Sequence, residues 1–514
     1  MQGATRFIDP PKQEDIEEIG ARNHLNLHES EIEFIRELIH EYLPVYRRID
    51  RMPQPEPEAK YTDRDPGYRP DQEEDPFNGF VRKCHVSGNN SGQLEGYEVG
   101  LKDNISVAGI ETTFGSPIMD GYVPRRDATV VSRLLDAGAT ITGKLTTTPF
   151  SVGDNFHDPG INPRDSSRDA GASSTGSAIA VVTGDVDVAL GADQGGSIRQ
   201  PAAWCGCIGL KPTWGLVPYT GIQSLDDTID HVGPMTTDLE DCARVLEIIA
   251  GYDPTDRRQG KQTPAPGQVS YLDALGRGID EVTIGVLDEG FDDEEGDEEV
   301  YDCVRSAIGK IGGLGASTTD VSVPYHHDGA YLSTVIMNEG VATKVRCEGL
   351  TPFQTGYHDV NYAESFGQAR RVRGDDISLR IKAKIVFGSY LAEKYQYRYY
   401  AKAQNLTREL TAAYDEVLEK VDVLALPTWT TTAPSLKMSE TYEEAVEKTK
   451  ETWTSGHTST TAQFNVSGHP ALTIPCGMVD GLPVGLQLVS RHFREDLLFR
   501  VAKKFEREFD WETL

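Results

Sequence analysis

The sequence predicts an α/β fold: a mostly open mixed β-sheet with helices on both faces, preceded by a helical N-terminal region. Three observations predict it. The chain has 514 residues, 38% of them apolar, enough for a large core. From about residue 95 onward, helical and strand-like apolar patterns alternate with no internal repeat. Near the C-terminus two apolar runs flank Asp480-Gly481, the pattern of a β-hairpin.

The first ~80 residues stand apart. Ser30 followed by Glu33 has the capping-box spacing ahead of Ile32, Ile35, Leu38, Ile39, Tyr42 and Leu43, an amphipathic helix. The stretch Met52 to Pro76, rich in Pro, Asp and Glu, reads as a surface linker. The expected domains are therefore 1–80, helical and a candidate for dimerisation, and 81–514, the main domain.

Within the main domain, Asp127 is positioned to cap a helix through Val130–Leu135, ended by Gly138, before a strand at Ala139–Thr142. Ala178–Val182 reads as helix and Val186–Leu190 as strand. Leu239–Ala250 is a helix and Val282–Val286 a strand. Val304–Ile311 is a helix leading to a strand near Val321. A long helical stretch, Tyr395–Val421, precedes the apolar strand Val421–Leu426. Ala471–Pro475 and Pro483–Val489 form the hairpin, and Leu497–Phe505 a closing helix.

Charge excludes several classes of function. Lys and Arg total 50 against 81 Asp and Glu, a net charge of -31. Such a surface repels nucleic-acid phosphates and anionic membranes, so no nucleic-acid or membrane partner is expected. With 19 Lys against 31 Arg, the acidic coat suits a halophilic protein, whose self-repulsion concentrated salt would screen. No apolar signal core opens the chain and no run reaches ~18 apolar residues, so a cytoplasmic location is expected.

Seven Cys form no disulfide framework, and Cys205 and Cys207 read as core thiols. The segment Asp288–Glu299 holds nine carboxylates in twelve residues without calcium-loop spacing, so it reads as a solvated loop. His326-His327 reads as surface or pocket lining, and no metal site is expected.

The chemistry lies between residues 171 and 201. Gly171-Ala-Ser-Ser-Thr-Gly-Ser and Gly191-Ala-Asp-Gln-Gly-Gly-Ser-Ile-Arg-Gln-Pro201 are small-residue turns flanking one helix and one strand. Small residues let the backbone approach a ligand and free its N–H groups. Ser197, directly after Gln194-Gly195-Gly196, sits where such groups can point at an oxyanion. A Gly-rich packing turn and a phosphate cradle remain open, although GxxxxGK[ST] is absent. Neither Ser173 nor Ser197 lies in GxSxG, and SxxK is absent, so a base must come from elsewhere. Lys102, in a mainly apolar segment, becomes one if burial keeps it neutral.

Together these segments resemble the amidase signature family. The resemblance rests on Gly100-Leu-Lys102-Asp-Asn, Gly171-Ala-Ser173-Ser, Asp193-Gln-Gly-Gly-Ser197-Ile-Arg and Gly209-Leu-Lys-Pro-Thr. It continues through Asp230-His-Val-Gly-Pro234, Gly468-His-Pro-Ala and Gly481-Leu-Pro-Val-Gly-Leu-Gln487, so it covers roughly 95 to 510. The N-terminal extension is similar to that of stand-alone, nitrile-linked amidases, where it contributes to dimerisation. Ala172 and Thr175 depart from the usual small residues of the pattern and leave its reactive positions intact.

The resemblance implies the amidase signature fold and a Ser–cis-Ser–Lys triad. Ser197 is then the nucleophile, Ser173 the relay in a cis peptide and Lys102 the base. Gln194, Gly195 and Gly196 are the oxyanion donors, and Asp193 and Arg199 a supporting ion pair. The reaction implied is hydrolysis of a carboxamide to carboxylate and ammonia through an acyl-enzyme, with no cofactor. The substrate is a small-molecule amide and the assembly a homodimer. Pocket-lining segments are expected near Thr146–Asn155, Tyr325–Asn338 and Thr452–Thr461. Two alternatives stand beside this reading: the A subunit of a tRNA-dependent glutamine amidotransferase, and an inactive binding module on the same fold.

Overall fold

Twelve strands form one mixed sheet in the computed structural model, which describes residues 8–54, 59–351, 354–451 and 460–514. The chain divides into two compact units, 1–58 and 59–514.

The first unit holds α1 (Gln13–Arg22) and α2 (Glu29–Asp50), which bury Ile16, Ile32 and Leu43. The cap of α2 differs from the Ser30/Glu33 expectation. His28 is the last extended residue, and its N–H donates to Glu31 Oε2 at 2.7 Å, so the carboxylate three residues after His28 takes the role.

The strands of the larger unit are β1 (Arg64–Tyr68), β2 (Phe80–Ser87), β3 (Glu98–Lys102), β4 (Thr140–Leu145), β5 (Val188–Asp193) and β6 (Ile208–Lys211). They continue with β7 (His231–Thr236), β8 (Thr283–Leu287), β9 (Ser317–Val321), β10 (Val423–Pro427), β11 (Ala471–Val479) and β12 (Leu482–Ser490). Its helices begin with α3 (Thr129–Asp136), α4 (Thr175–Thr183), α5 (Arg199–Cys205), α6 (Leu239–Ile249), α7 (Glu298–Gly313) and α8 (Tyr325–Arg346). Then come α9 (Val360–Val372), α10 (Leu379–Tyr395), α11 (Arg398–Leu418), α12 (Tyr442–Glu451), α13 (Ala462–Val466) and α14 (Glu495–Glu508).

The strand order is β1-β2-β4-β3-β5-β7-β6-β11-β12-β10-β8-β9, an open sheet. β4, β3 and β5 run parallel, as do β10, β8 and β9. Between these groups β5, β7, β6, β11, β12 and β10 are successively antiparallel. Every residue of β5, β6, β7, β10 and β12 is buried, which requires cover on both faces. The expected hairpin is present: Asp480 (φ 51°) and Gly481 (φ 77°) turn β11 into β12, with Val479 opposite Leu482. Among the described residues no helix is long and apolar enough to cross a membrane.

Several local expectations change. Asp127 does not cap α3. Its carboxylate accepts from both Arg64 guanidinium nitrogens (2.8 and 2.6 Å) and from Ala108 N–H (2.9 Å), so it anchors β1 to the body of the unit. The stretch read as linker therefore contributes an edge strand. The helical stretch Tyr395–Val421 is α11, set off from α10 by Gln396 and Tyr397, both at positive φ. Part of the acidic segment is structural: Asp297 caps α7 through Glu299 N–H, and Glu289 accepts from Val323 N–H at 2.9 Å.

Candidate active site

Lys102 ends β3, Asp193 ends β5, and these strands run parallel, so the segments that leave them share one edge of the sheet. In open α/β sheets that edge is where ligands bind. β7 enters from the same edge, with His231 opposite Asp193.

The turn Gln194-Gly195-Gly196-Ser197 leads from β5 into α5, while Ser173 and Ser174 precede α4. The two serine-bearing turns are sewn together. Ser174 N–H donates to the Ser197 carbonyl (3.0 Å), and Ser174 Oγ donates to the Ala192 carbonyl (3.0 Å). The Ala172–Ser173 peptide is cis. Two glycines are required here. Gly171 (φ 84°) packs so that a Cβ would lie 2.7 Å from Pro201 Cα. Gly196 (φ 125°) would bring one to 2.3 Å from Thr461 Oγ1.

Lys102 is fully buried, and its Nζ donates to Ser173 Oγ at 2.7 Å and to the Ala192 carbonyl at 3.2 Å. Burial pushes its ammonium down to about 7, against the opposing pull of Asp193 and Asp230. A lysine so placed is neutral in a large fraction at neutral pH, with its nitrogen within hydrogen-bond reach of a hydroxyl. Ser173 is buried, whereas Ser197 is only partly so and remains open to a reactant.

Behind the turn sits a polar hub. Asp193 and Arg199, both with no exposed side-chain surface, form a two-point ion pair at 3.0 Å. Arg199 also donates to the Thr461 carbonyl (2.9 Å), Gln487 Oε1 (2.7 Å) and Asn465 Oδ1 (2.7 Å). Asn465 in turn donates to the Asp193 carboxylate at 2.8 Å. Burial alone would raise the Asp193 carboxyl, but Arg199 and these donors outweigh it and hold the group well below the usual range.

The hub corrects one expected donor. Gly196 N–H donates to Asp193 Oδ1 at 2.7 Å, and Ile198 N–H to Oδ2 at 3.1 Å. The Gly196 amide is thus engaged by the carboxylate that braces the turn, which leaves Gln194 and Gly195 of the three expected residues. No sequence pattern reports that bond, because it depends on how tightly the turn closes over Asp193.

Of the expected pocket segments, Thr146–Asn155 supplies Phe150 and Val152 to an apolar cavity shared with Leu225, Phe366, Ile381 and Ile385. From Tyr325–Asn338, Met337 lies against Gly195: its Cε would be 3.6 Å from a Cβ there. Thr452–Thr461 falls mostly outside the described residues; Thr461 Oγ1 donates to the Gly195 carbonyl at 2.7 Å. The contributions of α9 and α10 to this cavity have no counterpart in the expected set. Nor does Lys144, fully buried and ion-paired with Asp103 at 2.9 Å.

His326 is buried rather than superficial, with Nδ1 2.7 Å from Tyr414 Oη, and burial pushes it down to about 3. His327 is exposed beside Asp292. Among the described residues one group, Asp415, His469 and His492, has a metal-ligating donor set, its ligand atoms within 4.8 Å of one another. His469 Nε2 lies 3.1 Å from Asp415 Oδ1, and His492 Nε2 donates to the Ser467 carbonyl at 3.0 Å, so protein partners already satisfy these nitrogens.

Comparison with known proteins adds three findings. Residues 81–499 match the family described as amidase. The chain is 37% identical over 432 residues to the A subunit of glutamyl-tRNA(Gln) amidotransferase from Natronomonas pharaonis, a match covering 83% of this chain and 98% of that protein. Its fold is similar to two solved structures. One is the A subunit of the same amidotransferase from Thermotoga maritima (TM-score 0.68, 29% identity, 84% and 88% of the two chains covered). The other is 6-aminohexanoate cyclic dimer hydrolase complexed with substrate (TM-score 0.69, 26% identity, 82% and 86%). The relatives' names correct the expectation of a homodimer without nucleic acid, since they denote one component of a tRNA-linked enzyme. Net charge restricts what this surface attracts broadly and is silent about what a partner chain contacts.

Proposed function

The chain belongs to the amidase signature family and is an amide-hydrolysing enzyme, and from that premise we propose that Ser197 is its nucleophile, Ser173 the relay and Lys102 the base. The observation that carries this reading is the buried Lys102–Ser173 contact, 2.7 Å, beside the turn that presents Ser197. With Lys102 neutral, Ser173 Oγ passes its proton to Nζ and takes one from Ser197 Oγ as the latter attacks the amide carbon. The oxyanion is held by backbone N–H groups at Gln194 and Gly195; at comparable sites such donors contribute ~3–4 kcal/mol each. The proton returns to the leaving nitrogen, ammonia departs, and the acyl-serine awaits a second nucleophile.

We further propose that this site works as the A subunit of a glutamyl-tRNA(Gln) amidotransferase, releasing ammonia from an amide donor for use by a partner. Its support is the 36–38% identity to proteins so named over 82–84% of this chain. A second reading, a stand-alone amidase with a helical N-terminal extension, is favoured by one observation. The Natronomonas relative is matched over 98% of its length, yet 17% of this chain has no counterpart in it, and the α1–α2 unit lies ahead of the family match at 81–499.

Ammonia release from glutamine and from a panel of aliphatic and aromatic carboxamides separates the two, measured with and without candidate partner subunits and tRNA. Glutamine turnover that rises sharply with partner and tRNA supports the amidotransferase role. Brisk turnover of simple carboxamides by the chain alone supports the stand-alone enzyme.

A further inference from the structure

We propose that Tyr219 is a positioning residue for catalysis: its hydroxyl holds the oxyanion-forming turn in register with the segment that carries the base. The inference rests on the assignment of Ser197 and the Gln194 amide given above. Tyr219 lies in the connection from β6 to β7 and is buried. Its Oη accepts from Gln194 Nε2 at 2.9 Å and donates to the Gln223 carbonyl at 3.3 Å. Gln223 N–H donates in turn to the Asn104 carbonyl at 2.9 Å, two residues beyond Lys102. One hydroxyl thus joins the residue that opens the nucleophile turn to the strand end that bears the lysine.

Tyr219 is also held at its backbone and over its ring. Tyr219 N–H donates to Asp256 Oδ2 at 2.7 Å, and Arg258 stacks over the ring with its guanidinium carbon 4.6 Å from the centroid. Arg258 is fixed by two bonds to Asp256 (3.1 and 2.8 Å) and donates to the Asp230 carbonyl at 2.8 Å, one residue before His231 opposite Asp193. The support closes on the same strand pair that presents Ser197. Tyr219 and Gln223 also line a cavity with Ser224, Asp227, Arg257 and Lys344.

Removing the hydroxyl leaves Gln194 Nε2 and the Gln223 carbonyl buried without this partner, and the turn that begins at Gln194 loses its tether. A tether of this kind acts on the transition state, when charge develops at the oxyanion, and not on ground-state binding. Tyr219→Phe is the direct test, read by inactivation with a biotinylated fluorophosphonate probe, which puts a phosphonyl oxygen where the oxyanion forms. The maximal inactivation rate should fall about tenfold while the half-saturating probe concentration stays near the wild type and the melting temperature drops by no more than a few degrees.

Gln194→Met removes the other end of the bond and should give the same split, and the double variant should be no slower than the slower single one. Unchanged inactivation rates in Tyr219→Phe, a rise in half-saturation alone, or additive losses in the double variant would overturn the proposal. If the wild type is labelled elsewhere than at Ser197, the assignment of the nucleophile fails instead, and mass spectrometry of the adduct distinguishes the two failures.

Discussion

At the scale of single residues, the role proposed for Lys102 predicts a pH dependence. Burial lowers it to about 7 from an unfolded value near 10.4, so its neutral fraction grows as pH rises through 7. Acylation should climb along that limb and level off above it, and Lys102→Ala should abolish the limb along with most of the rate; a stopped-flow pH profile of acyl-enzyme formation reads both. The same shift acts on stability with a definite sign. Between pH 7 and about 10.4 the unfolded chain binds the proton that the folded chain has released, so this group's penalty on folding fades as pH rises across that window. Arg199 yields a second prediction. Removing it leaves Asp193 buried without its cation, and Arg199→Met should cost about 3–5 kcal/mol, read as a lowered denaturant midpoint, with the loss of Ser197 labelling following the unfolding. Lys102, Ser173 and Ser197 stand out in the sequence as a lysine in an apolar run and two serines in small-residue turns, while Asp193 and Arg199 enter only through the family resemblance; the structure sets Lys102 against Ser173 and pairs Asp193 with Arg199. The engagement of the Gly196 amide was not legible, since it joins two residues three apart through a closure that only the folded turn defines.

Secondary-structure elements were legible in proportion to how cleanly one face is apolar. α6 reads directly, with Leu239, Cys242, Val245, Leu246 and Ile249 buried on one side. Asp238 Oδ1 accepts from Glu240 and Asp241 N–H at 2.7 and 3.1 Å, so Asp238→Ala should destabilise the fold by about 1 kcal/mol, whereas Asp238→Asn should be near neutral; paired urea melts compare the two. α8 went unread for the opposite reason. It buries His326, Ser333, Asn338 and Glu339 alongside Ala330, Leu332 and Ile336, so no apolar stripe marks a face. Two of its polar positions are spent within the fold: His326 meets Tyr414, and Asn338 accepts from Lys384 of α10 at 3.0 Å. The helices that line the apolar cavity beside Phe150 therefore include the least periodic ones, while the sheet that carries Lys102 and Asp193 declares itself in apolar runs. Asp127 shows the converse error, a good capping residue recruited by Arg64 of a distant strand.

For the whole molecule, charge is the quantity that carries a prediction. The accessible surface is 22,947 Å², and with eleven of the 81 carboxylates buried, sharing it among about 70 gives a mean spacing of ~18 Å. That spacing is well inside the screening length of ~30 Å at 0.01 M salt and far outside the ~3 Å at 1 M. In dilute buffer each carboxylate therefore feels several neighbours, and the net charge of -31 favours expansion of the chain; in molar salt it feels almost none. The exposed ion pairs do little to offset this repulsion, because pairs such as Lys420–Glu416 and Lys450–Glu447 are more than half open to solvent. The melting temperature should accordingly rise between 0.01 and 1 M KCl. Most of the gain should come where the screening length falls below the carboxylate spacing, at about 0.03 M and just above, with a slower climb beyond. NaCl at equal ionic strength should reproduce the early part of the curve, since screening depends on charge and not on ion identity, and sucrose at matched osmolality should not. A melting temperature indifferent to KCl over this range, or one that follows sucrose as closely as salt, would mean that self-repulsion is not what limits the fold at low ionic strength.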